Sequence, residues 1–167
     1  MWSIDKILVP TDFGKASNLA LDAALVLAKK FEASIVLVHA YQIPMYAYPS
    51  APLLPVAELS TQIEEAAEQS LRAAASAQRA GIPIQSGLYA GAPWEQILKA
   101  AKEHEVGLIV MGSRGLRGLP RALLGSTAEK VVRYSPVPVM TLHGPPEPEQ
   151  LFTARGLPLN EASEMKA

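Results

Sequence analysis

Gly112, Gly115 and Gly125, with Ser126 and Thr127 directly behind the last, are the residues of this chain whose types and spacing could do chemistry together. Glycine lets main chain approach a ligand without a side chain in the way, and the two hydroxyl residues add donors. Arg114, Arg117 and Arg121 run through the same stretch. Backbone N–H groups, hydroxyls and guanidinium groups converging in so short a segment suit a phosphate. Ser126 also stands three residues before Glu129, an S-x-x-E pattern in which two side chains would satisfy orphan N–H groups at a helix start. A helix opening there would turn its positive dipole end back onto the glycines, which favours an anion. Plainer readings stand beside this one. The glycines could simply permit positive φ in a tight loop, and Ser126 could be only a cap, stabilising by about 1 kcal/mol. Arg114, between the two close glycines, is best placed to reach an outer phosphate, where a charge-assisted bond contributes roughly 1.5–3 kcal/mol. A solvated basic loop is the alternative.

Chemistry beyond binding finds little support. Asp12 has no His, Lys or second carboxylate adjacent to it, so it reads as a ligand contact or a cap for the helix that follows, not as a general base. His39 ends an apolar run and reads as a packed, hydrogen-bonded residue. His104 and His143 have no metal-ligand spacing to partners. With no cysteine, disulfides, thiolate nucleophiles and thiolate metal sites are excluded.

These residues need elements to position them, and the apolar pattern supplies a regular series. Residues 4–10 end in Ile7, Leu8 and Val9 and predict a buried strand closed by Pro10. Helical spacing follows, with Leu19, Ala23, Val26, Leu27 and Phe31 expected on the buried face. Residues 34–40 predict a second strand, and the alanine-rich run 56–80 a second helix, stopped by Gly81 and Pro83. A weaker strand is expected over 84–89. Pro93 then opens a helix that repeats Trp94, Ile97, Leu98 and Ala101 toward the core. Residues 108–111 predict the fourth strand, 128–134 the fourth helix and 137–142 the fifth strand. Pro138 cannot donate to a ladder, so that last strand lies at an edge or its proline lies at the strand's start. Residues 41–55, with four prolines and three tyrosines, are expected to be irregular. They read either as a solvated crossover or as a binding loop whose Tyr41, Tyr46 or Tyr48 could stack on a base.

Strands alternating with amphipathic helices predict an α/β fold, a doubly wound parallel sheet with helices on both faces, Rossmann-like in plan. Ligands of such folds sit beyond the carboxyl ends of the strands, where strand order reverses. At 167 residues, 49% hydrophobic and 19% charged, the chain is expected to form one globular domain. A net charge of −1 argues against nucleic acid or an anionic membrane as partner. Charges near the N-terminus and the lack of a long apolar run make a cytoplasmic protein the default.

Three phosphate-binding patterns fail. The first strand is followed by Pro10-Thr11-Asp12-Phe13-Gly14 and not by G-x-G-x-x-G. G-x-x-x-x-G-K-[ST] is absent, and no carboxylate cluster of the receiver type follows the first strand. What remains is Gly112-x2-Gly115-x9-Gly125-Ser126 after the fourth strand. This spacing resembles the ATP-binding signature of the universal stress protein family. ILVPTDF, VLVHAY, Gly91-Ala92-Pro93 and SPVPVMTL resemble, in order, that family's first strand, second strand, third turn and last strand. The resemblance covers residues 2–142. It implies a five-stranded sheet of order 3-2-1-4-5, a crevice between strands one and four, and a homodimer formed through the last strand, residues 137–142. It also implies that Pro10 and Thr11 flank the base, that Asp12 accepts from adenine or ribose, and that Ala40 offers backbone. Met111 would lie beside the base, and Gly112 and Gly115 would admit the ribose and phosphates. Gly125, Ser126 and Thr127 would donate to the phosphates.

The expected ligand is therefore ATP or another adenine nucleotide (ADP, AMP), with Mg²⁺ or Mn²⁺ held by the phosphates because no carboxylate cluster is evident. Residues 1–143 are expected to be the nucleotide-binding domain of a stress-response protein and 144–167 a Pro-rich tail. The alternatives are a dimeric interaction module with a vestigial pocket and a slow ATPase.

Overall fold

Ile7, Leu8 and Val9 have no exposed surface and form the middle of β1 (Lys6–Pro10). A strand buried on both faces must lie inside a sheet covered by helices on either side. The computed structural model describes residues 3–42, 56–77, 81–113 and 124–143. Among them, α1 (Lys15–Phe31), β2 (Ser34–Tyr41), α2 (Val56–Ala77), β3 (Ile84–Ala90), α3 (Pro93–Glu103), β4 (Leu108–Gly112), α4 (Ser126–Tyr134) and β5 (Val139–Leu142) follow β1 in chain order. The strands form one five-stranded sheet of order β3-β2-β1-β4-β5, parallel at every pairing. The expected α/β architecture and strand order are both present. No described helix is long and apolar enough to cross a membrane.

Alternate strand residues feed two core layers, as the two-residue period of a strand requires. Ile7, Val9, Ile35, Leu37, Leu108 and Val110 pack against Ala20, Leu21, Ala24, Leu25 and Ala28 of α1 and Leu71 of α2. On the opposite face Leu8, Val36, Val38, Ile109 and Met111 meet Ile97, Ala100 and Ala101 of α3 and Ala128 and Val131 of α4. The helix after β1 and the helix after β4 thus leave the sheet on opposite sides. Because β1 and β4 are neighbours, their carboxyl ends part and leave a crevice between them.

Three local expectations need correction. The buried face of α1 is Ser17, Ala20, Leu21, Ala24, Leu25 and Ala28, whereas Val26 is 70% and Phe31 46% exposed. Val26 and Phe31 had marked the wrong side, while Leu27 of the expected face does pack against this core layer. A helix lying close on a sheet buries a stripe in which alanine lets the two backbones approach, and here Ala20, Ala24 and Ala28 supply it. Tyr41 belongs to β2, not to the irregular segment, because its backbone pairs with Ala90. Its hydroxyl donates to Glu64 of α2, and that bond first, then burial, raises its pKa. Finally, β5 starts at Val139, not at residue 137. It is the sheet's edge strand, and Pro138 lies just before it, contributing only a carbonyl that accepts from the Ile109 N–H at 3.0 Å. Both options for the proline therefore hold together. Residues 43–55 and 144–167 lie outside the described residues.

The corrected helix face has a measurable consequence. Leu25→Ala should cost about 2–5 kcal/mol of unfolding free energy, while Val26→Ala should change it by no more than about 0.5 kcal/mol. Urea unfolding of both variants checks the pair. Equal costs would restore the first assignment of the buried face.

Candidate functional site

The carboxyl end of β1 leads into a turn built from its own side chains. Thr11 is buried, and its N–H donates to the Val38 carbonyl at 2.8 Å, extending the β1–β2 ladder one residue past Pro10. Its hydroxyl accepts from the Phe13 N–H at 2.9 Å, and Asp12 Oδ1 accepts from the Gly14 N–H at 3.0 Å. Short side chains accepting from backbone two residues on are what tighten such turns. Ser17, in the first turn of α1, joins them. The Thr11 hydroxyl lies 3.3 Å from Ser17 Oγ, and the Ser17 hydroxyl donates to Asp12 Oδ1 at 2.7 Å. Asp12 is thus tied to the first turn of α1 through Ser17, but it is not the helix cap raised as its structural alternative, because Gly14 is the N-cap and no side chain caps α1.

His39 takes the structural role expected of it. Its Nδ1 lies 2.7 Å from the Thr11 carbonyl, and since a carbonyl only accepts, Nδ1 carries the proton in this contact. Its ring packs on Phe13 with centroids 4.6 Å apart, and Phe13 adopts a left-handed φ of 62° in the same turn. Ala40 stands two residues beyond Val38, the register partner of Pro10, so β2 overhangs the end of β1 there.

Across the crevice, Met111 is 4% exposed, and its side chain belongs to the α3–α4 core layer. What it turns to the crevice is backbone. Gly112 is glycine for a reason that sequence reading did not supply. Its φ is not left-handed, but a Cβ there would stand 2.9 Å from both the Cβ and the backbone carbon of Ala16. The first turn of α1 lies directly against the end of β4, so the two walls of the crevice touch at this glycine.

Ser113 comes next. Its N–H donates to the Leu142 carbonyl at 2.8 Å, and its carbonyl accepts from the Gly125 N–H at 2.7 Å. Ser113 and Gly125, which flank segment 114–124, are therefore fastened to each other at the end of β4. Arg114, Gly115, Arg117 and Arg121 lie within this segment and outside the described residues.

The start of α4 differs from the expected capping box. Gly125 is the N-cap, with φ −57° and ψ 150°, and no side chain caps the helix. The Glu129 N–H donates to the Gly125 carbonyl at 2.9 Å, so the helix begins one residue earlier than S-x-x-E implies. Glu129 then falls one position too late to reach back, and its carboxylate pairs with Arg133 at 2.8 Å instead. Ser126, Thr127 and Ala128 carry the N–H groups that a first helical turn leaves without intrahelical partners. No capping hydroxyl competes for them, and the dipole makes them the positive end of the helix.

Pro10, Thr11 and Asp12 on one side and Met111, Gly112, Gly125, Ser126 and Thr127 on the other thus stand at the carboxyl ends of adjacent strands. Ser17, Ala16 and Ser113 escaped sequence reasoning. Ser17 is the third residue of a helix, and Ser113 looks like any polar residue after a strand. Among the described residues, no group of three His, Asp or Glu side chains could hold a metal ion. The arrangement is suited to holding an anion, and among the described residues it offers no paired acid and base.

Comparison with known proteins fits this geometry. The model of the universal stress protein family matches residues 3–143. A universal stress protein of Methanocaldococcus jannaschii is 32% identical over 142 residues, covering 84% of this chain and 82% of its own. YxiE of Bacillus subtilis, also a universal stress protein, is 33% identical over 143 residues, covering 81% of this chain and 97% of its own. The crystal structure of a universal stress protein in complex with cAMP matches with a TM-score of 0.60 at 26% identity, over 86% of this chain and 99% of that one.

Gly112→Val should press on Ala16 and lower stability by about 1–3 kcal/mol, read as an earlier midpoint in urea. Because the α1 backbone is part of the contact, adding Ala16→Gly should restore only part of the loss. A neutral Gly112→Val would show that the two walls do not meet.

Proposed function

The chain belongs to the universal stress protein family, and from that premise we propose that it holds an adenine nucleotide, ATP foremost, in the crevice between β1 and β4. The observation that carries this reading is the closure of Gly125 N–H onto the Ser113 carbonyl. It supports a phosphate site because it sets the uncapped N–H groups of α4 at the rim of the crevice. The cAMP complex of a related protein supports the same ligand class. The phosphates would accept from the backbone of Gly125, Ser126 and Thr127, with Arg114 and Gly115 contributing from segment 114–124. Asp12 would meet the ribose or adenine through its carboxylate, with Pro10, Thr11, Ala40 and the backbone of Met111 and Gly112 around the base. Mg²⁺ or Mn²⁺, when present, would ride on the phosphates.

The output of this reading is conformational. A cytoplasmic stress-response protein would use nucleotide occupancy to change dimer or partner surfaces, with residues 1–143 as the binding domain and 144–167 as an appended tail. A homodimer through β5 accords with its edge position and with the exposure of Met140 on it and of Val132 and Tyr134 on neighbouring α4.

Mass spectrometry of the denatured purified protein should find an adenine nucleotide, or calorimetry should find ATP binding to the stripped protein. Gly125→Glu should abolish binding yet fold normally, since the backbone there suits any residue and an acidic group favours a helix start. Neither co-purified nucleotide nor binding at millimolar ATP would end the reading. For the dimer, Met140→Lys should halve the mass seen by light scattering, and an unchanged mass would move the interface elsewhere.

A further inference from the structure

Among the described residues, Ser113 Oγ is the buried side-chain oxygen left without a hydrogen-bond partner. It has no exposed surface, yet both backbone groups of the same residue are used, the N–H by Leu142 and the carbonyl by Gly125. A buried hydroxyl without a partner costs stability, so such a group in a folded protein calls for a reason.

Its place supplies one. Ser113 extends the β4–β5 ladder one residue beyond Gly112. The Cβ that Gly112 lacks would face Ala16 of α1, and Met111 packs in the α3–α4 layer. Strand alternation therefore sets Ser113 on the α3–α4 face. There its carbonyl already holds the N-cap amide of α4, so the hydroxyl shares a turn with the N–H groups of Ser126, Thr127 and Ala128, which have no intrahelical partner. We infer that Ser113 is a positioning residue for the phosphates, its hydroxyl completed only when an anion occupies the start of α4. An anion seated on those amides brings a strong acceptor into the turn, and the orphaned donor then has a partner. The stability forgone in the empty protein becomes a preference for the loaded one. This inference rests on the nucleotide reading above and adds to it a side chain from an unspecified position within the glycine spacing.

Ser113→Ala separates this role from a structural one, because the two effects have opposite signs. In the unliganded protein the variant should unfold roughly 2–4 °C higher, since it removes a buried group that bonds nothing. In calorimetry its ATP affinity should fall by at least about tenfold, the value of a hydrogen bond to a charged group. Ser113→Cys, close in shape but a poor donor, should lose affinity likewise. A lowered melting temperature for unliganded Ser113→Ala would mean that the hydroxyl already has a partner, ordered water included, and would overturn the inference. So would an ATP affinity within about twofold of the unsubstituted chain. If the unsubstituted chain itself binds no ATP, the nucleotide reading falls and this inference with it. If that chain binds and the variant matches it, only the role of Ser113 is lost.

Discussion

A single backbone hydrogen bond, from the Gly125 N–H to the Ser113 carbonyl at 2.7 Å, decides what the carboxyl end of this sheet can do. It joins the end of β4 to the start of α4. Ser113 is held in turn by the Leu142 carbonyl, so the anchor belongs to the sheet. The consequence is electrostatic. A helix start that was free to move would offer little to an anion. Held at the rim of a crevice, it offers oriented N–H groups and a dipole worth about 0.3–2 kcal/mol to a nearby negative charge.

The opposite wall is held by a different device. Thr11, Asp12 and Ser17 form a chain of short polar side chains that ties the end of β1 to the first turn of α1. The same turn of α1 rests on Gly112, where a side chain has no room. The two walls are therefore coupled through Ala16: anything that moves α1 presses on the end of β4, and anything that moves β4 presses on α1. In the proposed reading, occupancy of such a site would reach the helices through this contact.

Much of this was legible in the letters. Apolar runs such as Ile7-Leu8-Val9 mark strands buried on both faces, and the order of strands and helices leads to the doubly wound sheet. The glycine spacing and Asp12 mark the ends of β4 and β1. Other features were not legible, for physical reasons. Which face of α1 is buried depends on how closely it lies on the sheet, and there alanines outrank Val26 and Phe31. S-x-x-E at Ser126 reads as a cap, but the chain enters the helix through Gly125, and one residue of phase removes the capping box. Gly112 read as room for a ligand or for positive φ; its φ is not left-handed, and the close contact with Ala16, which no letter announces, by itself calls for glycine there. Ser113 gave no signal at all, because a buried hydroxyl is defined by what surrounds it.

The central claim, that the start of α4 is where this protein receives a phosphate, is tested most directly by following backbone amide resonances while ATP is added. The account predicts that the largest shifts fall on the amides of Ser126, Thr127 and Ala128, with a second group at Thr11 and Asp12 across the crevice. Saturable shifts confined to other surfaces, with the α4 amides unmoved, would contradict it.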